Sequence, residues 1–135
     1  MSYYIATRLK APFGEALTLT RDALSQSGFG IISEIDIAST LQQKIGVDFR
    51  PYRILGACNP QMAHEALKIE DKVGTMLPCN VVVQELEPGL VEVAAVDPVA
   101  SMMSIKSDLL KQTAEQVRTK LEAVIDSLNA NAGPG

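Results

Sequence analysis

Apolar and polar positions change period several times along the chain, and each change marks an element. Residues 3–9, "YYIATRL", alternate loosely and predict an opening strand. In "APFGEALTLTRDALSQSG", Phe13, Ala16, Leu17, Ala23 and Leu24 recur at helical spacing, and Gly28 stands where a left-handed residue would end the helix. "FGIISEIDI" returns to a period of two. Phe29, Ile31, Ser33, Ile35 and Ile37 are expected on one face, with Gly30, Ile32, Glu34 and Asp36 on the other. "ASTLQQKIG" predicts a short helix closed by Gly46.

The second half repeats the alternation. "PYRILGAC" reads as a strand apolar on both faces, with Ile54 and Cys58 on one side and Leu55 and Ala57 on the other. "NPQMAHEALKIEDKVG" reads as one helix, since Asn59 is a good N-cap and Pro60 suits the first helical position. "CNVVVQEL" and "LVEVAAV" flank "EPG", whose Gly89 can take positive φ, and so predict a hairpin. A last helix is expected from about Ser107 to Leu128, burying Leu110, Ala114, Val117, Leu121, Val124, Ile125 and Leu128. The order is β-α-β-(short α)-β-α-β-β-α, which implies an α+β sandwich with the long helices on one sheet face. Residues 1–128 are expected to form a single α+β domain, and residues 129–135, "NANAGPG", a flexible C-terminal tail.

Composition narrows the setting. With 135 residues, 47% of them hydrophobic, the chain can bury a core without staples. No apolar run approaches the roughly 18 residues of a membrane span. The start, "MSYYIATRLK", lacks the basic and apolar segments of an export signal. The expectation is therefore a cytoplasmic protein, without a membrane partner, whose two cysteines are free thiols. A net charge of −4 and twelve scattered Lys and Arg residues give no stripe for phosphates, and three Phe, three Tyr and no Trp offer little for base stacking. Nucleic acid is not expected as a partner.

The run "GFGIISEIDIASTLQQKIGVDFRPYRILGACNP", followed by "AHEAL", "LPCNVVV" and "AVDP", closely resembles the bacterial and archaeal domain-of-unknown-function family 302 over about residues 3–128. The resemblance implies a β-α-β4-α antiparallel sheet similar to the TATA-binding-protein-like folds, here with short inserted helices, and it implies a homodimer. It implies no activity. The pattern of residues adds a reason for pairing: strands apolar on both faces leave an exposed patch once two long helices cover one side.

Candidate chemistry centres on Cys58 and Cys79. Cys58 ends its strand just before a helix N-terminus, where the dipole and free amides favour an anionic sulfur. It also suits simple packing, because free cysteine is among the most buried residue types. Cys79 opens a valine-rich strand and reads as structural. With His64, the only histidine, the two thiols would make a zinc or copper(I) set, although the spacing is not that of a CxxC site. In "VDFRPYR", Arg50 and Arg53 offer guanidinium forks for a carboxylate or phosphate, or a salt-bridged strand entry beside Asp48 and Tyr52. Asp97, before Pro98, reads as a turn cap or as a base in a cleft. Glu34 and Asp36 share a strand face and read as a solvated edge.

No signature of a nucleotide loop, zinc protease, serine hydrolase or CxxC redox motif occurs, so neither a reaction nor a cofactor is assigned. Three readings stand together. One is a non-enzymatic ligand-binding or interaction module with a small pocket near Cys58, His64 and Cys79, in which Asn59, Arg50 and Asp97 are further binding candidates. The second is a thiol-based redox or sulfur-transfer protein using Cys58. The third is a metal-binding protein using Cys58, His64 and Cys79.

Overall fold

The computed structural model describes residues 2–130. Strands β1 (Tyr4–Lys10), β2 (Gly30–Asp36), β3 (Tyr52–Cys58), β4 (Cys79–Glu87) and β5 (Leu90–Val96) form a five-stranded sheet ordered β1-β5-β4-β3-β2. Every neighbouring pair is antiparallel. Helices α1 (Phe13–Gln26), α2 (Ile37–Ile45), α3 (Pro60–Ile69), α4 (Pro98–Ser101) and α5 (Asp108–Ala130) complete an α+β fold.

One face of the sheet carries α1 and α5. Their apolar stripes, Ala16, Leu17, Ala23 and Leu24 from α1 and Leu121, Val124, Ile125 and Leu128 from α5, bury against Leu9, Leu55, Val81, Val83, Val91, Val93 and Ala95. Each fully buried Leu or Val here contributes about 1.5–3 kcal/mol relative to exposure. Thr20, the buried polar side chain of α1, is satisfied by donating to the Ala16 carbonyl at 2.7 Å. Gly28, at φ +85°, turns the chain out of α1 while the Phe29 amide closes on the Leu24 carbonyl at 2.9 Å.

Among the described residues, no helix packs across the middle of the other face. The ladder registers align Ile35, Ile54, Val82, Ala94 and Ala6 as one row across all five strands. Beside it runs a polar row, in which Gln84 donates to Glu92 and Arg8 pairs with Glu92 at 3.4 Å.

Three expectations are corrected. Strand β2 does not alternate cleanly, because the register shifts between Ile31 and Ser33. Ile31 opposes Ala57 toward the helices, whereas Ser33 and Ile35 oppose Gly56 and Ile54 on the other face. Ile37 belongs to α2, capped by the Asp36 side chain accepting from the Ser39 amide at 3.0 Å. The helix expected over residues 59–74 stops at Ile69. Glu70 turns to extended geometry, and its carboxylate accepts from the Lys72 amide to start a 3₁₀ helix, Asp71–Met76. Finally, α5 runs on to Ala130, and Asn129, placed in the tail by the sequence, accepts from Thr7 Oγ1 at 3.0 Å. Residues 131–135 lie outside the described residues.

Candidate functional site

Antiparallel pairing brings five chain segments to one end of the sheet: the starts of β1, β2 and β4 and the ends of β3 and β5. Gly30 stands opposite Cys58, and Ala57 opposite Cys79. Beyond this end, α3, the 3₁₀ helix, α4 and the first turns of α5 pack on one another through Ala66, Val73, Met102, Leu110 and Ala114, a second apolar cluster apart from the main core.

The two clusters do not close fully. Ala57, Ala63, Ala66, Gly74 and Ala114 supply short or absent side chains around the junction, and they leave a cavity of about 330 Å³. Phe29, Ile32, Met62, Leu67, Leu77, Pro78, Pro98, Met102, Leu110 and Val117 complete its apolar wall, with both cysteines. Asn59 and Thr113 are the other polar side chains lining it. Both are engaged locally: Asn59 Oδ1 accepts from the Met62 amide at 3.2 Å, and Thr113 Oγ1 donates to the Leu109 carbonyl at 3.2 Å. Ile32 and Leu67, 65% and 43% exposed, mark the rim.

Several candidates from the sequence meet here. Cys58 is half-buried and Cys79 only 7% exposed, and both thiols are free. Burial, and then the neighbouring Cys58, push the Cys79 thiol up to about 11 from its ordinary 9.0. It is therefore a neutral thiol near pH 7. Asn59 caps α3 as expected, with Pro60 in the first turn. Asp97 stands behind the wall as a cap for α4: buried, it accepts from the Val99 amide at 2.9 Å and the Ala100 amide at 3.4 Å. Its other oxygen meets Arg118 Nε at 3.3 Å. That arrangement holds Pro98 in the cavity wall and engages both carboxylate oxygens of Asp97, which does not itself line the cavity.

Other candidates lie elsewhere. His64 is exposed on α3, one helical step off the Met62, Ala63 and Ala66 face that lines the cavity. Among the described residues no three His, Cys, Asp or Glu side chains gather to hold a metal, so the Cys58–His64–Cys79 set does not assemble. Arg50 is exposed in the loop before β3, its guanidinium carbon 4.4 Å from the centroid of the Phe49 ring. Arg53 bridges Glu34 and Asp36, meeting the latter at 3.3 Å, and Arg21 adds a second partner for Glu34. The carboxylate pair is thus an ion-paired sheet edge. Sequence reasoning missed Met62, Met102 and the 3₁₀ helix as parts of the site. The available signal was the i, i+4 spacing of Cys58, Met62 and Ala66 around a capped helix start.

A five-stranded antiparallel sheet with two long helices on one face and an apolar cavity at one end defines a small α+β fold. The profile of "Domain of unknown function DUF302" matches residues 5–128, and the chain belongs to that family. Among solved structures it is similar to a crystal structure of an uncharacterized conserved DUF302 protein from Bacillus stearothermophilus. The two share 29% identity at a TM-score of 0.87, over 95% of this chain and 99% of that one. No curated protein matches. Among the described residues no helix is long and apolar enough to cross a membrane.

Proposed function

We propose that the protein is a homodimeric, non-enzymatic binding module of the cytoplasm, which holds a small ligand in the cavity beside Cys58 and Cys79. The observation that carries this reading is the cavity itself. Its volume of about 330 Å³ falls within the usual range of ligand pockets, and its wall is carbon and sulfur with very few polar groups. Among the described residues, no ionisable side chain apart from the two thiols lines it, so it offers a place to bind and no acid–base pair to react. The homodimer reading is supported by the apolar row Ile35–Ile54–Val82–Ala94–Ala6 on the sheet face opposite α1 and α5.

A thiol-based reading draws on the half-buried Cys58 at the start of α3. It is weakened by the offset between the cysteines, because the pleat directs adjacent ladder positions to opposite faces and does not aim the two Cβ atoms at each other.

Methyl-labelled methionine resonances test the binding reading directly. Adding 1-decanol, a neutral apolar probe, is expected to shift the Met62 and Met102 methyl signals in a saturable manner. Ala66→Phe, which fills the cavity from α3, and Ala63→Phe, nearer the rim, are expected to abolish the shift. If 1-decanol, 2-naphthol and their like all leave both methyl signals unmoved in the folded wild-type protein, the reading is wrong.

A further inference from the structure

We infer that the cavity selects an uncharged aromatic molecule of about two fused rings, an inference that rests on the reading of this cavity as a binding site. Four of its wall residues carry sulfur: the thiols Cys58 and Cys79 and the thioethers Met62 and Met102. Sulfur beside an aromatic ring gains about 0.3–1.5 kcal/mol per contact, an advantage that a saturated chain does not share. Phe29 supplies an aromatic wall for a stacked or edge-on second ring.

Charge and size sharpen the class. A carboxylate or ammonium would lose its hydration and find no opposite charge among the described lining side chains, so charged relatives of the ligand are rejected. An aliphatic-lined cavity of about 150 Å³ accepts benzene. The volume here, about 330 Å³, is roughly twice that. Asn59, whose Oδ1 is held by the Met62 amide, keeps its Nδ2 donor at the wall for a single hydroxyl oxygen or ring nitrogen.

The test compares 2-naphthol, 2-naphthoate and 1-decanol on the full chain. With no Trp in the protein, naphthalene fluorescence reads binding without overlap from indole. The expected result is one 2-naphthol per chain, with 2-naphthoate at least about tenfold weaker for want of a counter-charge. Replacing both thioethers, Met62→Leu with Met102→Leu, keeps the apolar volume and should weaken 2-naphthol by about three- to tenfold more than it weakens 1-decanol. Equal binding of naphthol and naphthoate, or equal losses for naphthol and decanol in the double variant, overturns the inference. Decanol binding without naphthol binding also overturns it and leaves the binding-site reading standing. Binding of none of the three overturns both.

Discussion

Cys58 and Cys79 sit one ladder position out of step, because the residue facing Cys79 across β3 and β4 is Ala57. The two sulfurs therefore reach the same cavity from different walls, Cys79 from the buried helix-bearing face and Cys58 from the strand end beneath the start of α3. Alkylation of the native protein at neutral pH, read by mass spectrometry, is expected to label Cys58 first and Cys79 only after denaturation. Labelling of Cys79 first would show that the cavity opens toward β4.

Cys79 also sets an alkaline limit on stability. Its thiol is raised from 9.0 to about 11 in the folded protein, chiefly by burial. Between these values the unfolded chain has lost the proton and the folded chain has kept it, so stability falls as pH rises through that window. The loss attributable to this group is about 2–3 kcal/mol once both states are ionised. Denaturant melts at pH 8 to 11 should show a shallower decline in Cys79→Val than in the wild type. Parallel curves would count against the burial of this thiol.

The cap on α3 is directly measurable. Asn59→Ala removes the acceptor that Met62 N reaches at 3.2 Å and is expected to cost about 1 kcal/mol. Loosening that turn also displaces Met62, so probe binding in the cavity should weaken alongside the melting temperature. A melt unchanged within error would place the start of the helix elsewhere.

Gly56 is required for steric reasons. A Cβ at this position would lie 2.1 Å from Ser33 Oγ and 2.8 Å from Pro78 Cγ. Ser33 can rotate away, but the proline ring cannot. Gly56→Ala is expected to destabilise by about 1–3 kcal/mol, and Gly56→Ala combined with Ser33→Ala should recover only part of the loss. Full recovery would assign the whole clash to Ser33.

Light scattering tests the pairing of two copies. The wild type should weigh as a dimer at micromolar concentration. Val82→Glu, in the middle of the apolar row, should yield a monomer with unchanged helix and strand content. A wild-type monomer would remove the homodimer from the functional reading.

Much of this protein was legible in the order of its residues. Local signals carried the element order: the period-two run "YRILGAC", the helical stripe ending at Leu128, the Asn59-Pro60 helix start and the Gly89 turn all lie where pattern and turn chemistry put them. The family resemblance was equally readable, because long literal motifs such as "DFRPYRILGACNP" do not depend on knowing the contacts.

What the sequence could not decide was set by packing at a distance. The bulge at Ile31–Ser33 sends Ile31 toward the helices although simple alternation keeps it with Ser33, because β3 dictates the register. His64 joins Cys58 and Cys79 as a candidate by residue type, yet helix α3 leaves it exposed. Met62 and Met102, forty residues apart in the chain, become cavity neighbours only when α3 and α4 dock at the sheet end. Hydrophobic period and capping are short-range physics written into a dozen residues. A cavity is the space that several such elements fail to fill, and its existence depends on how they pack together in three dimensions.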